Sequence, residues 1–190
     1  MYIRETYMKQ KISSYIKTQH PIGTILPTNQ NVILWMTEKK WIAQAKINGR
    51  KAQIHISNNN VIFYTRQGNL HSAHISQELK DSIIKWFSSE KETVIEAEFI
   101  PQQQKIFVFD LVVDNGELLR NITYPERHEL LTKNKPDILG KNIQILPILS
   151  SVISAQKLLL ENNPIIEGLV FKSQIGIGFS DNFIIRCRKN

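Results

Sequence analysis

The sequence predicts an α+β domain in which antiparallel sheets are flanked by helices. Three observations predict it. Strand-like segments follow one another closely, amphipathic helical segments are interleaved between them, and 190 residues at 42% hydrophobic and 22% charged make one ordinary domain. Strands this close in sequence suit hairpins, whereas a doubly wound parallel sheet needs a crossover helix between successive strands.

Taken in order, residues 1–35 form a helical or loop lead-in to a domain spanning 1–190. Tyr7, Ile12, Tyr15 and Ile16 recur at roughly helical spacing, and Pro21-Ile22-Gly23 and Pro27-Thr28-Asn29 then break the chain. Trp41-Ile42-Ala43-Gln44-Ala45 and Ala52-Gln53-Ile54-His55-Ile56 alternate as half-buried strands do, with 46–51 as a turn between them. Asn58-Asn59-Asn60 turns into Val61-Ile62-Phe63-Tyr64, completing a run of antiparallel strands. Ser76 caps a helix through Ser88 that puts Leu79, Ile83, Ile84 and Phe87 on one face. Strands are expected over 93–100 and 105–113, and Pro125 suits the first turn of a short helix over 125–131. Ser150 or Ser151 caps a helix through Asn162, and strands over 166–172 and 183–188 end the chain.

Composition excludes several classes. Apolar runs of at most five residues, such as 32–36, fall far short of the about 18–20 that cross a bilayer. The start, Met1-Tyr2-Ile3-Arg4-Glu5, lacks the apolar core of a secretory signal. One cysteine, Cys187, rules out an internal disulfide and fits an intracellular location; between two arginines on a strand it is expected to point into the core. Lys+Arg minus Asp+Glu is 24 − 17 = +7, which favours a polyanionic partner. The five histidines have no metal-ligand spacing, and neither a P-loop nor a dinucleotide-binding glycine pattern occurs. Gly176-Ile177-Gly178 reads as a turn between the last strands.

Singly, the polar motifs are ordinary: a loop lysine, a strand glutamate, an arginine on a turn. Their order is informative. Lys46-Ile47-Asn48-Gly49 is followed by Tyr64-Thr65-Arg66-Gln67-Gly68, Glu96-Ala97-Glu98, Phe109-Asp110-Leu111, Glu167-Gly168-Leu169-Val170-Phe171-Lys172 and Arg186-Cys187-Arg188. This series resembles the covalent nucleotidyltransferase superfamily of ATP-dependent DNA ligases, RNA ligases and mRNA capping enzymes, over residues 41–189. Asn48, Ala97, Arg186 and Arg188 depart from the family's Asp, Gly, Lys and Lys. Phe109-Asp110 followed by Tyr124-Pro125-Glu126-Arg127-His128-Glu129-Leu130-Leu131 is most similar to DNA ligases. The family's adenylation domain normally continues into an OB-fold domain of roughly 80–100 residues; the chain stops two residues after Arg188, so the expected fold is the adenylation domain without it.

The resemblance implies a reaction and its residues. Lys46 attacks the α-phosphate of ATP to form a lysyl–AMP. A lysine amine near pKa 10.4 must first lose its proton, and Arg186, Arg188, Lys172 and Mg²⁺ supply a positive field that favours this and steadies the phosphate. Glu98 and Glu167 contact the ribose or hold Mg²⁺. Phe109 stacks on adenine, with Leu169 or Val170 on the other face. Lys51 contacts the nucleotide sugar, and Arg66 binds a nucleic-acid phosphate. The partner is nicked nucleic acid, DNA before RNA, with an OB-fold partner in trans, and with roles in DNA repair or replication. RNA ligation, RNA guanylylation and a degenerate non-catalytic binding domain are the alternatives; nucleotide choice and the presence of a covalent adenylate separate them.

Overall fold

A computed structural model describes residues 14–18, 20–133, 135, 138–179 and 184–189. Met1-Tyr2-Ile3-Arg4-Glu5, Tyr7, Ile12 and the first residue of the expected 183–188 strand lie outside the described residues. The described chain builds two sheets. Strands β1 (Thr24–Ile25), β2 (Trp41–Ile47), β10 (Ile166–Ser173) and β11 (Ile184–Arg188) form a small sheet in the order β1-β11-β10-β2. A larger sheet has β3 (Arg50–Ser57), β4 (Asn60–Thr65), β5 (Thr93–Ile100), β6 (Lys105–Asp114), β8 (Ile138–Leu139) and β9 (Ile143–Ile145) in the order β4-β3-β5-β6-β9-β8, with β7 (Glu117–Leu118) paired to β6. Pairing is antiparallel except at β1–β11 and β6–β9, two short parallel contacts that the sequence reading did not include.

The run of antiparallel strands from Trp41 onward is corrected at one point. β3 and β4 do form a hairpin, closed by Asn58 and Asn59 at φ 49° and 57°, the left-handed pair that matches strand twist. β2 and β3 do not pair with each other. β2 pairs with β10, and the Lys46–Lys51 stretch is mostly strand, with Asn48 and Gly49 alone crossing between the sheets. Gly49 fits because a Cβ there would stand 3.1 Å from the Phe99 carbonyl oxygen and 3.3 Å from Glu98 Oε2.

Helix α2 (Gln77–Phe87), capped by Ser76, buries Leu79, Ile83 and Phe87 against Ile54, Ile56, Phe63 and Ile95 of the larger sheet. Helix α3 (Tyr124–Thr132) starts with a capping box in which Thr123 and Glu126 satisfy each other's backbone amides. Helix α4 (Val152–Leu160) is capped by Ser151. It packs with α1 (Asn29–Ile33) on the small sheet, over Val32, Ala43, Leu169, Phe171 and the buried thiol of Cys187. The Pro27-Thr28-Asn29 break is therefore also a helix start: Thr28 caps α1, and a π-helical turn, Leu34–Glu38, follows. That turn brings Trp35 edge-on to Trp41 at 4.6 Å.

The helical reading of the first residues is also corrected where it can be seen. Residues 14–18 are not helical. Ile16 instead gives its amide to Gln53 Oε1 and takes Gln53 Nε2 on its carbonyl, both at 2.8 Å. No helix among the described residues is long and apolar enough to cross a membrane.

One buried ion pair joins the larger sheet to α3. Arg127 has no exposed surface and grips Asp110 with two bonds, Nε to Oδ1 at 2.9 Å and Nη2 to Oδ2 at 3.0 Å. Its Nη1 also donates to the carbonyls of Ile122 and Gly178. Removing one partner of such a pair strands a charge, at a cost of about 3–5 kcal/mol. Arg127→Met is expected to lose stability of that order in urea unfolding, while exposed Lys141→Met, which breaks a surface pair with Glu78, changes it by less than about 1 kcal/mol.

Candidate active site

The two sheets meet around a cavity of about 270 Å³. Its small-sheet wall follows from register. Lys46 lies opposite Gly168, which lies opposite Arg188; in the next row Gln44, Val170 and Arg186 align; beyond them Lys172 aligns with Ile184. Side chains alternate along a strand, so Gln44, Lys46, Val170, Lys172, Arg186 and Arg188 share the cavity face. Ala43, Leu169, Phe171 and Cys187 take the opposite face, under α1 and α4. The expectation for Leu169 is therefore corrected: it is fully buried in that helical core, and Val170 lines the cavity.

Gly168 is the point on which this wall turns. It has φ +143°, it follows a register irregularity in β10, and a Cβ on it would come within 1.9 Å of the Cys187 carbonyl oxygen. Glycine lets β10 and β11 approach here, and the shift sets the phase of every residue after it. The larger sheet contributes Lys51 from β3, Glu98 from β5 and Phe109 from β6; Arg66 follows β4 on its turn.

Of the residues singled out from the sequence, Lys46, Lys51, Arg66, Glu98, Phe109, Lys172, Arg186 and Arg188 line the cavity. Glu167 does not line it but reaches it through its partners: it touches Lys46 Nζ, and its other oxygen stands 3.7 Å from Arg188 Nε. Arg186 Nε donates to Thr24 Oγ1 at 2.5 Å.

The sequence reading missed Gln44, His20 and Tyr124. Gln44 was legible in principle, since it sits two residues before Lys46 on an alternating strand. Its amide is fixed, with Nε2 donating to the Leu146 carbonyl at 2.9 Å and Oε1 accepting from Lys172 Nζ at 3.0 Å. Tyr124 gives its hydroxyl to the Phe109 carbonyl at 2.7 Å, and its ring lies 3.6 Å from Lys172 Nζ.

Two groups of the cavity are pulled toward neutrality from opposite sides. Burial raises the Glu98 carboxyl to about 7, against Lys46 and Lys51 and with the help of Glu167 and Glu96. Burial lowers the Lys172 amine to about 7, with Asp110 opposing and Arg127 reinforcing. The described residues contain no cluster of three or more metal-ligating side chains. A Mg²⁺ that keeps waters and uses one or two carboxylates together with substrate phosphates needs no such cluster. Glu98 and Glu167, which interact electrostatically beside Lys46, fit that donor set.

A protein-family model described as RNA ligase matches residues 39–186. No curated protein sequence matches the chain significantly. Among solved structures, the chain is similar to one designated Pmar-Lig_PreS3, at 19% identity and TM-score 0.57, over 92% of this chain and 47% of that one. It is also similar to the ligase domain from M. tuberculosis LigD, at 15% identity and TM-score 0.58, over 78% of this chain and 53% of that one. A third is a mycobacterial DNA ligase D complexed with ATP and MES, at 13% identity and TM-score 0.56, over 78% of this chain and 54% of that one. These likenesses concern the fold, and the chain spans about half the length of the structures it matches.

The two shifted groups give opposite pH slopes. Glu98 favours the folded state below about 4.5, and this contribution is lost as pH rises through about 7. Lys172 contributes stability above about 10.5 that is lost as pH falls through about 7. Unfolding free energy of Glu98→Gln is expected to fall less than that of the wild type between pH 5 and 7, and that of Lys172→Met to rise less between pH 7 and 10, as read by urea titration at each pH.

Proposed function

The chain belongs to the RNA ligase family, and from that premise we propose that it is an ATP-dependent polynucleotide ligase-type adenylyltransferase, with Lys46 as the nucleophile. The observation that carries the reading is the company Lys46 keeps. A carboxylate touches its Nζ, two arginines share its wall of the cavity, and an aromatic ring stands on the other wall. Lysine, arginine and aromatic groups around one cavity suit a nucleoside triphosphate, with cations for the phosphates and a ring for the base.

An ammonium has no lone pair, so the Lys46 proton must leave before attack. The Glu167 carboxylate in contact with Nζ takes it and passes it to solvent. The freed nitrogen forms a bond to the α-phosphorus of ATP, the bond from that phosphorus to the β-phosphate oxygen breaks, and pyrophosphate departs with the electron pair. Arg186 and Arg188 hold phosphate oxygens through this change. Glu98 and Glu167 are the residues that would hold Mg²⁺, which would offset phosphate charge when bound. Phe109 stacks on the base with Val170 opposite, and Lys51 contacts the sugar. In the second step a polynucleotide 5′-phosphate oxygen takes the AMP and Lys46 leaves. In the third, a 3′-hydroxyl oxygen attacks that phosphate and AMP is released. Arg66 supplies a phosphate contact for the strand.

Nicked DNA is the substrate favoured here, because Phe109-Asp110 with the Arg127 helix is similar to DNA ligases. RNA ends are the second reading, supported by the description of the family model. An OB-fold partner in trans would hold the nick in line with the adenylate.

Incubated with ATP and Mg²⁺, the intact protein is expected to gain the mass of one AMP, and Lys46→Ala is expected to gain none; an adduct on Lys46→Ala would remove the lysine from its role. GTP in place of ATP is expected to leave the mass unchanged. Sealing of pre-adenylated nicks is expected to be faster in all-DNA duplexes than in duplexes with RNA at the nick, and the reverse order would establish the RNA reading. An added OB-fold domain is expected to speed the sealing of plain nicks more than self-adenylation.

A further inference from the structure

The face of the larger sheet that runs into the cavity is polar, buried, and covered in part by residues 14–18. Gln53, Glu96 and Thr18 on this face are each 3% exposed or less. Such groups are costly to bury unless they bond one another, and they do so in a chain that ends in the cavity. Gln53 takes both backbone groups of Ile16 and donates to Glu96 Oε1 at 3.3 Å. The Thr18 hydroxyl donates to Glu96 Oε1. Lys51 Nζ then donates to Thr18 Oγ1 at 3.1 Å and pairs with Glu96 Oε2 at 3.0 Å. Lys51 is a cavity residue, 6.0 Å from the centre of the Phe109 ring.

The other end of the same segment holds a second functional position. Tyr15 gives its hydroxyl to the Arg66 carbonyl at 2.9 Å. Its ring packs so closely on Gly68 that a Cβ there would lie 2.9 Å from it, and it stands 6.3 Å from the Tyr64 ring. Thus the turn that presents Arg66 rests on Tyr15, and the ammonium of Lys51 rests on Thr18. A little farther along, His20 and Pro21 line the cavity themselves.

We propose that residues 14–18 form a positioning strap, in which Thr18 orients Lys51 toward the nucleotide and Tyr15 orients the Arg66 turn toward a polynucleotide phosphate. The inference rests on the functional reading above for the identity of the two ligands. Thr18 and Tyr15 are positioning residues and touch neither ligand. A free Lys51 side chain would sample several rotamers, and the hydroxyl–carboxylate pair restricts it to one direction before the nucleotide arrives.

The test uses the full chain and reads binding separately from chemistry. Thr18→Val keeps the volume and removes the hydroxyl. It is expected to weaken ATP binding by about three- to tenfold in calorimetry, the worth of one hydrogen bond to a charged group, and Thr18→Ser is expected to restore it. In a Lys51→Met background, Thr18→Val is expected to add little further loss, because Thr18 acts through Lys51. Tyr15→Phe is expected to weaken binding of a 5′-phosphorylated nicked duplex by a similar factor and ATP binding by less, since the Tyr15 hydroxyl also interacts with Thr18. Thermal melts check that each variant folds. Unchanged affinities in Thr18→Val and Tyr15→Phe, or a Thr18→Val loss that is fully additive with Lys51→Met, would overturn the strap. ATP binding that follows this pattern, with no AMP adduct on the wild type, would support the strap and fail the adenylyltransferase reading alone.

Discussion

The fork between Arg127 and Asp110 fixes the cavity floor. A guanidinium with no solvent contact is tolerable because both carboxylate oxygens and two backbone carbonyls take its protons. The bonds reach β6, the start of α3 and the loop after β10, and Tyr124 and Phe179 flank the guanidinium at 5.6 and 4.9 Å. From this anchor Tyr124 reaches the Phe109 carbonyl and so sets the height of the Phe109 ring. Asp110 favours the protonated Lys172 amine and Arg127 opposes it, but burial outweighs both. Burial therefore governs the amine and draws it to about 7. The same pair thus sets a ring position and lies within the electrostatic reach of a buried lysine.

Charge in the cavity is then distributed by depth. Lys172 lies deep, between Gln44 and the Tyr124 ring, where carrying a proton is costly. Glu98 is discouraged from ionising by burial and by its acidic neighbours. Lys46, Lys51, Arg186 and Arg188 supply the remaining positive field, against Glu167 and Glu96. A polyphosphate entering such a cavity meets cations on both walls. An excess of +7 over the chain adds long-range attraction that weakens as salt rises.

What was legible in the sequence followed local periodicity, and what was not followed long-range pairing. Strands 93–100 and 105–113, the Ser76-capped helix and the Pro125 helix all carry their signals within a few residues, and they stand nearly where expected. Asn48-Gly49 carries the signal of a hairpin turn, yet its strands belong to different sheets. The partner of β2 is β10, more than a hundred residues away, and no local pattern reports that. The resemblance leaves Leu169 or Val170 for the cavity side; alternation gives a period but not a phase, and the irregularity at Gly168 sets the phase that puts Val170 there. Tyr15 and Ile16 fell at helical spacing, but the backbone partners of Ile16 are the side chain of Gln53, 37 residues on. Lys46, Glu98, Arg186 and Arg188 were reached through the family resemblance of an ordered series of short motifs, and the strands that carry them border one cavity.

A site split between two sheets raises the question of how its halves keep register. Lys46 stands on one sheet and Glu98 on the other, and the covalent link between the sheets at this point is Asn48-Gly49. That link is held at both residues. The Asn48 amide donates to the Ile165 carbonyl at 2.7 Å, tying it to the entry of β10. Gly49 is packed so closely on Phe99 and Glu98 that any side chain would displace them. Ile47, Ile100, Phe107 and Leu146 fill the space beneath. Lys46 therefore cannot shift relative to Glu98 without opening a packed cluster or losing the Asn48–Ile165 hydrogen bond. An in-line attack on phosphorus loses about a hundredfold for a misplacement of roughly 1 Å. A short, packed crossing would hold Lys46, the proposed nucleophile, within that tolerance.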